Sequence, residues 1–145
     1  MRDAGDTGHT MPAAIPSITD LGRHAATFVR RVDTLPVSGG NQPTDRKAQQ
    51  NVLYERDEAL RSLITFYRAT SLSDAATQLY AGYMAADHAT NHDLTVEEHV
   101  RCADTLRRLF ISTLPLVAAA AKLDLAEIGA EYIVEYAERE FPAEA

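Results

Sequence analysis

The chain has 145 residues, 46% of them apolar and 24% charged, with a net charge of −7. That is the length and composition of one ordinary soluble globular domain with its own core. Its one cysteine, Cys102, excludes an intramolecular disulfide and fits a reducing, cytoplasmic location, and the lack of a basic cluster argues against nucleic-acid binding.

Residues 1–16, MRDAGDTGHTMPAAIP, carry Gly, Thr and Pro without periodicity and read as a flexible N-terminal arm. A helical bundle domain, 17–145, follows. No apolar signal core precedes Pro12, and Met11 is an alternative start. A first helix is expected from Ser17 to Leu35, with Ile18, Leu21, Ala25, Phe28, Val29 and Val32 inward and Arg23, Arg30 and Arg31 outward. Gly22 weakens it by about 1 kcal/mol relative to Ala. PVSGGNQP, residues 36–43, is a loop.

Thr44 or Asp45 opens a second helix reaching Ala69, with Val52, Ala59, Leu60, Leu63, Ile64 and Tyr67 inward. Its outward set is Glu55, Arg56, Asp57, Glu58 and Arg61. Ser71 with Asp74, or Ser73, starts a third helix bearing Leu72, Ala76, Leu79, Tyr80, Tyr83 and Met84. It fades in the polar stretch 87–94. The longest helix is expected from Thr95 to Leu123, opened by a Thr95/Glu98 capping box. Its stripe of Val96, Val100, Ala103, Leu106, Phe110, Leu114, Val117 and Ala121 reads as the centre of the core. The apolar run 109–121 falls well short of the roughly 20 residues a membrane span needs.

Pro115 removes one helical hydrogen bond and is expected to kink this helix, with a split into two helices as the alternative; Thr113 is placed to satisfy a freed carbonyl. Asp124 with Glu127 opens a last helix to Phe141, with Leu125, Ile128, Tyr132, Ile133, Tyr136 and Ala137 inward. Residues 123–145 hold seven acidic residues and one arginine, a solvated acidic face. The fold class is therefore all-α: a single bundle of about five helices, mostly antiparallel, the fourth long and kinked at Pro115.

Potential ligands concentrate at Asp87, His88, His92, Asp93, Glu98, His99 and Cys102. His88 and His92 are four apart, His99 and Cys102 three apart, so each pair shares a helix face. If the two faces meet, three imidazoles and a thiolate suit zinc. The competing reading is a set of polar residues at a helix turn. No H-E-x-x-H motif is present, and Val96 stands where a di-iron Glu-x-x-His would need its glutamate. Magnesium is the other candidate ion, since Glu55 with Glu58 and Glu135 with Glu138 each form the Glu-x-x-Glu that presents two carboxylates from one helical turn. The ending KLDLAEIGAEYIVEYAEREFP resembles the last helix of MazG-type nucleotide pyrophosphohydrolases, which implies magnesium-dependent hydrolysis. The chain lacks the accompanying Glu-x-x-Asp, having Arg101 before Asp104 and Met84 before Asp87.

Cys102 beside Arg101 reads as a small packing residue, or as a nucleophile if its pKa is lowered. Neither a phosphate loop nor a G-x-S-x-G elbow occurs. Tyr80 with Tyr83, and Tyr132 with Tyr136, present apolar rings with polar tips suited to an interface. The stretch ERDEALRSLITFYRATSLSDAATQLYAGY resembles small helical proteins of alphaproteobacteria and their prophages, which implies a bacterial origin and no particular activity. The functional expectation is helix-mediated protein interaction, as a homo-oligomer or accessory subunit, without catalysis, cofactor, nucleic acid or membrane. The alternatives are a His/Cys metal sensor and a magnesium-dependent pyrophosphohydrolase.

Overall fold

Ser17, Ser71 and Thr95 each stand at the start of a helix and accept a hydrogen bond from the backbone N–H three residues on. The computed structural model describes residues 16–36 and 43–142; the expected arm and most of the expected loop lie outside the described residues. The helices are α1 (Ile18–Asp33), α2 (Pro43–Ile64), α3 (Leu72–Asn91), α4 (Val96–Ala121) and α5 (Tyr132–Glu140). A short 3-10 turn, Leu125–Ile128, precedes α5. Among the described residues there is no strand, and the fold is all-α.

Helix α1 packs along α2, and α3 along α4, as two antiparallel hairpins; α5 folds back on α4. The hairpins meet where the start of α1 crosses the start of α3. A Cβ added at Gly22 would lie 2.3 Å from Thr77 Cγ2, so this glycine permits the crossing rather than merely weakening its helix. Ile18, Ile64, Ala69 and Ala75 form the apolar cluster at this junction, with Leu21 and Leu116 against it. Full burial of Ile64 contributes roughly 1.5–3 kcal/mol.

Polar side chains tie the same junction. Asp74 Oδ1 accepts from the Thr19 N–H (3.0 Å) and hydroxyl (2.8 Å), and Oδ2 from the Thr70 N–H (3.3 Å) and hydroxyl (3.0 Å). Burial raises the Asp74 pKa, but these bonds outweigh it and hold the carboxyl below its ordinary 3.8. Fully buried Gln78 donates from Nε2 to the carbonyls of Ile64 (3.0 Å) and Tyr67 (2.6 Å). Ser112 Oγ accepts from the Ala69 N–H at 2.8 Å. α2 ends at Ile64, five residues before the expected Ala69: the carbonyls of Ser62, Leu63 and Ile64 accept from the N–H three residues on, and the Ile64 carbonyl and Ala69 N–H gain side-chain partners.

Four further readings are corrected. Asp57 and Arg61 turn inward, not to water: their side chains are 10% and 11% exposed and joined at 2.9 Å through both carboxylate oxygens. Pro115 lies inside an unbroken α4, so the two-helix alternative falls. Thr113 Oγ1 bonds the Leu109 carbonyl at 2.8 Å rather than the Ile111 carbonyl that Pro115 deprives of its N–H. The last helix is not continuous either. Asp124 caps only the 3-10 turn, which stops at Gly129 in the left-handed region (φ 69°), and α5 starts afresh.

Candidate interaction surface

Helix α3 buries a face of small and polar residues, Asp74, Ala75, Gln78, Ala81 and Gly82. Gly82 lets α4 come close: a Cβ there would lie 3.1 Å from Leu109 Cδ1. The larger apolar side chains of α3 lie on the other side, at the periodicity of the helix. Leu72, Leu79, Tyr80 and Tyr83 are 55%, 43%, 50% and 62% exposed. The Tyr80 and Tyr83 rings stack at 6.3 Å, and the Arg61 guanidinium covers Tyr80 at 4.7 Å.

The α4 stripe is likewise uncovered, against the expectation that the other helices enclose it. Val96, Val100, Phe110 and Val117 are exposed, and Leu106 and Leu114 half-buried. α4 instead buries Leu109, Ile111, Ser112, Thr113 and Ala118. On α5 only Ala137 is buried; Tyr132 and Tyr136 are exposed, with their rings edge-on at 5.4 Å. Ile128, expected inward, is exposed as well. The end of α5 is pinned by Glu140, whose carboxylate holds Arg107 of α4 at 3.0 Å. Exposed Phe66, after α2, lies under the Arg108 guanidinium at 4.5 Å.

No protein-family model, curated protein or solved structure matches the chain. The assignment of a site therefore rests on the geometry of the side chains themselves.

The proposed metal ligands do not gather. His88 and His92 neighbour each other, with ring centroids 4.4 Å apart. His92 Nδ1 lies 3.1 Å from the His88 carbonyl, and His99 Nδ1 lies 3.0 Å from the Thr95 carbonyl. Cys102 is half-buried. Among the described residues no three His, Cys, Asp or Glu side chains are placed to hold an ion. The reason is local: His92 is the C-cap of α3 with extended backbone, and His99 sits on the first turn of the next helix against its own cap. Glu98 serves that cap too. Its bonds with the Thr95 N–H and hydroxyl lower its carboxyl pKa, with Arg101 and His88 adding to the effect.

The magnesium candidates fare no better. Glu55, Glu58, Glu135 and Glu138 are all exposed, and Glu135 pairs with Arg139 on the next turn. The hollow between α1 and α2 is lined by Arg31, Leu35, Gln49, Val52 and Arg56 and holds no carboxylate or thiol. The features that distinguish this surface are thus apolar faces, at α3, α4 and α5, and the sequence reading identified the two tyrosine pairs among them. It missed Val96, Val100 and Phe110 as surface, because an apolar stripe looks the same whether its own chain or another covers it.

Proposed function

We propose that this chain works by helix-mediated protein interaction, as a homo-oligomer or an accessory subunit, with no catalysis of its own. The observation that carries the reading is the exposure, on the side of α3 away from its buried residues and along α4, of apolar side chains at helical spacing. Isolated exposed hydrophobics are ordinary, but contiguous apolar faces mark interaction surfaces. Covering them with another helix removes apolar area from water at roughly 25 cal/mol per Å². The tyrosine pairs suit the same use, since each ring buries well while its hydroxyl stays in water. Among the described residues no helix is long and apolar enough to cross a membrane. The unpaired thiol of Cys102 fits a reducing cytoplasm, and the likeness of residues 55–83 to small prophage proteins favours a bacterial one.

The test is solution mass by light scattering, together with binding of an apolar dye. The wild type is expected to exceed the chain mass, and Tyr80→Ser with Tyr83→Ser to weaken association without loss of helicity. A wild type that is monomeric and binds no dye refutes the reading.

A further inference from the structure

Eight positions of α4 alternate strictly in steps of four and three: Val96, Val100, Ala103, Arg107, Phe110, Leu114, Val117 and Ala121. That is the 3.5-residue repeat of a coiled-coil seam, apolar at all but Arg107. Seven of these positions are exposed and Leu114 is half-buried; of the described helices α5 reaches the seam, through Glu140 on Arg107. Helix α3 meets α4 elsewhere, at Leu106 and Leu109 beside Gly82, and the segment before α3 meets Ser112 through Ala69. Pro115 is off the repeat.

We infer that this seam is closed by the α4 of a second copy, running antiparallel about a two-fold axis between Arg107 and Phe110. The inference rests on the interaction reading above and commits it to one occupant. Reversing the repeat about that axis returns it onto itself. Val100 then faces the partner's Val117, Ala103 faces the partner's Leu114, and Val96 faces the partner's Ala121. In these three layers a residue meets a smaller or equal one, or a larger one meets alanine, which close packing allows. Arg107 faces the partner's Phe110, an arrangement that sets a guanidinium on a ring. Its charge is already balanced within its own chain, by Glu140 at 3.0 Å and Asp104 at 3.8 Å, yet its side chain stays 53% exposed. A parallel pairing in the same register would instead oppose Arg107 to the partner's Arg107. A polar residue within a seam is the usual means of fixing register and direction. A specific interface covers on the order of 1,000 Å² or more, so the seam has to close over most of its length.

Directed disulfide formation tests this in the full chain carrying Cys102→Ser. Val100→Cys and Val117→Cys are made separately, both at exposed positions, then oxidised alone and after mixing. The antiparallel seam predicts disulfide dimers in the mixture and few in either protein alone. Efficient crosslinking of each protein alone would show a parallel pair and overturn the proposal. A wild type that is oligomeric by light scattering, with no crosslink in any sample, would overturn the seam and leave the interaction reading standing. A wild type monomeric at all concentrations would overturn self-association through either face. Phe110→Glu supplies a second readout: with helicity retained, dimer affinity is expected to fall by at least about thirtyfold.

Discussion

Replacing Gly22 by alanine sets helix propensity against helix packing. In an exposed helix interior the change stabilises by about 1 kcal/mol. Here the new Cβ would lie 2.3 Å from Thr77 Cγ2, far inside contact distance. The methyl cannot swing aside freely, because Thr77 Oγ1 donates to the Ser73 carbonyl at 2.8 Å and a β-branched side chain is stiff at χ1. Overpacking of this kind costs about 1–3 kcal/mol, so Gly22→Ala is expected to lose its propensity gain and to destabilise by up to about 2 kcal/mol net. Thr77→Ser removes the methyl and keeps the hydroxyl. In that background Gly22→Ala is expected to stabilise by roughly the 1 kcal/mol of propensity. Urea unfolding of the four proteins, at one fixed chain concentration, closes a double-mutant cycle with a coupling of about 1–3 kcal/mol. Stabilisation by Gly22→Ala in both backgrounds, with no coupling, would refute the close crossing of α1 and α3.

Other substitutions probe the junction and the helix ends. A carboxylate whose folded pKa is lowered gives its full stabilisation above the unfolded value and loses it as pH falls through the folded one. Wild-type stability is therefore expected to drop on acidification below about 3.8, and Asp74→Asn to flatten that limb while costing about 2–3 kcal/mol at neutral pH, both read from urea midpoints. Ser112→Ala leaves the Ala69 N–H without its acceptor and is expected to cost about 1–3 kcal/mol by the same assay. Lys122 ends α4 in the left-handed region at φ 55°, so Lys122→Gly is expected to raise stability by about 1 kcal/mol; a loss would contradict the assigned cap.

What the sequence makes legible is local. The Thr95/Glu98 box, the Ser17 and Ser71 caps and the 3.6-residue periods place the helices because these signals act within a turn or two of chain. Which face packs is decided by distant partners. Helix α3 shows the difference: its Leu and Tyr face invites an inward reading, yet Ala75, Ala81 and Gly82 allow a closer approach of α4, so the small face packs and the large one stays outside. Asp57 and Arg61 look like surface charges until their mutual pairing lets both turn inward. Gly129 interrupts an otherwise helical pattern, and no composition rule distinguishes it from the tolerated glycine at position 22. The His/Cys set was visible as residue types, but its convergence depended on how α3 and α4 join, which spacing along the chain does not specify.

On the proposed function, the apolar faces of this chain are covered by protein, first of all by another copy of itself. Sedimentation equilibrium of the wild type across micromolar concentrations is the test. A concentration-dependent rise to at least twice the chain mass is expected, reduced toward the chain mass by Phe110→Glu. A wild type that sediments as a monomer at every concentration, indistinguishable from Phe110→Glu, would contradict it.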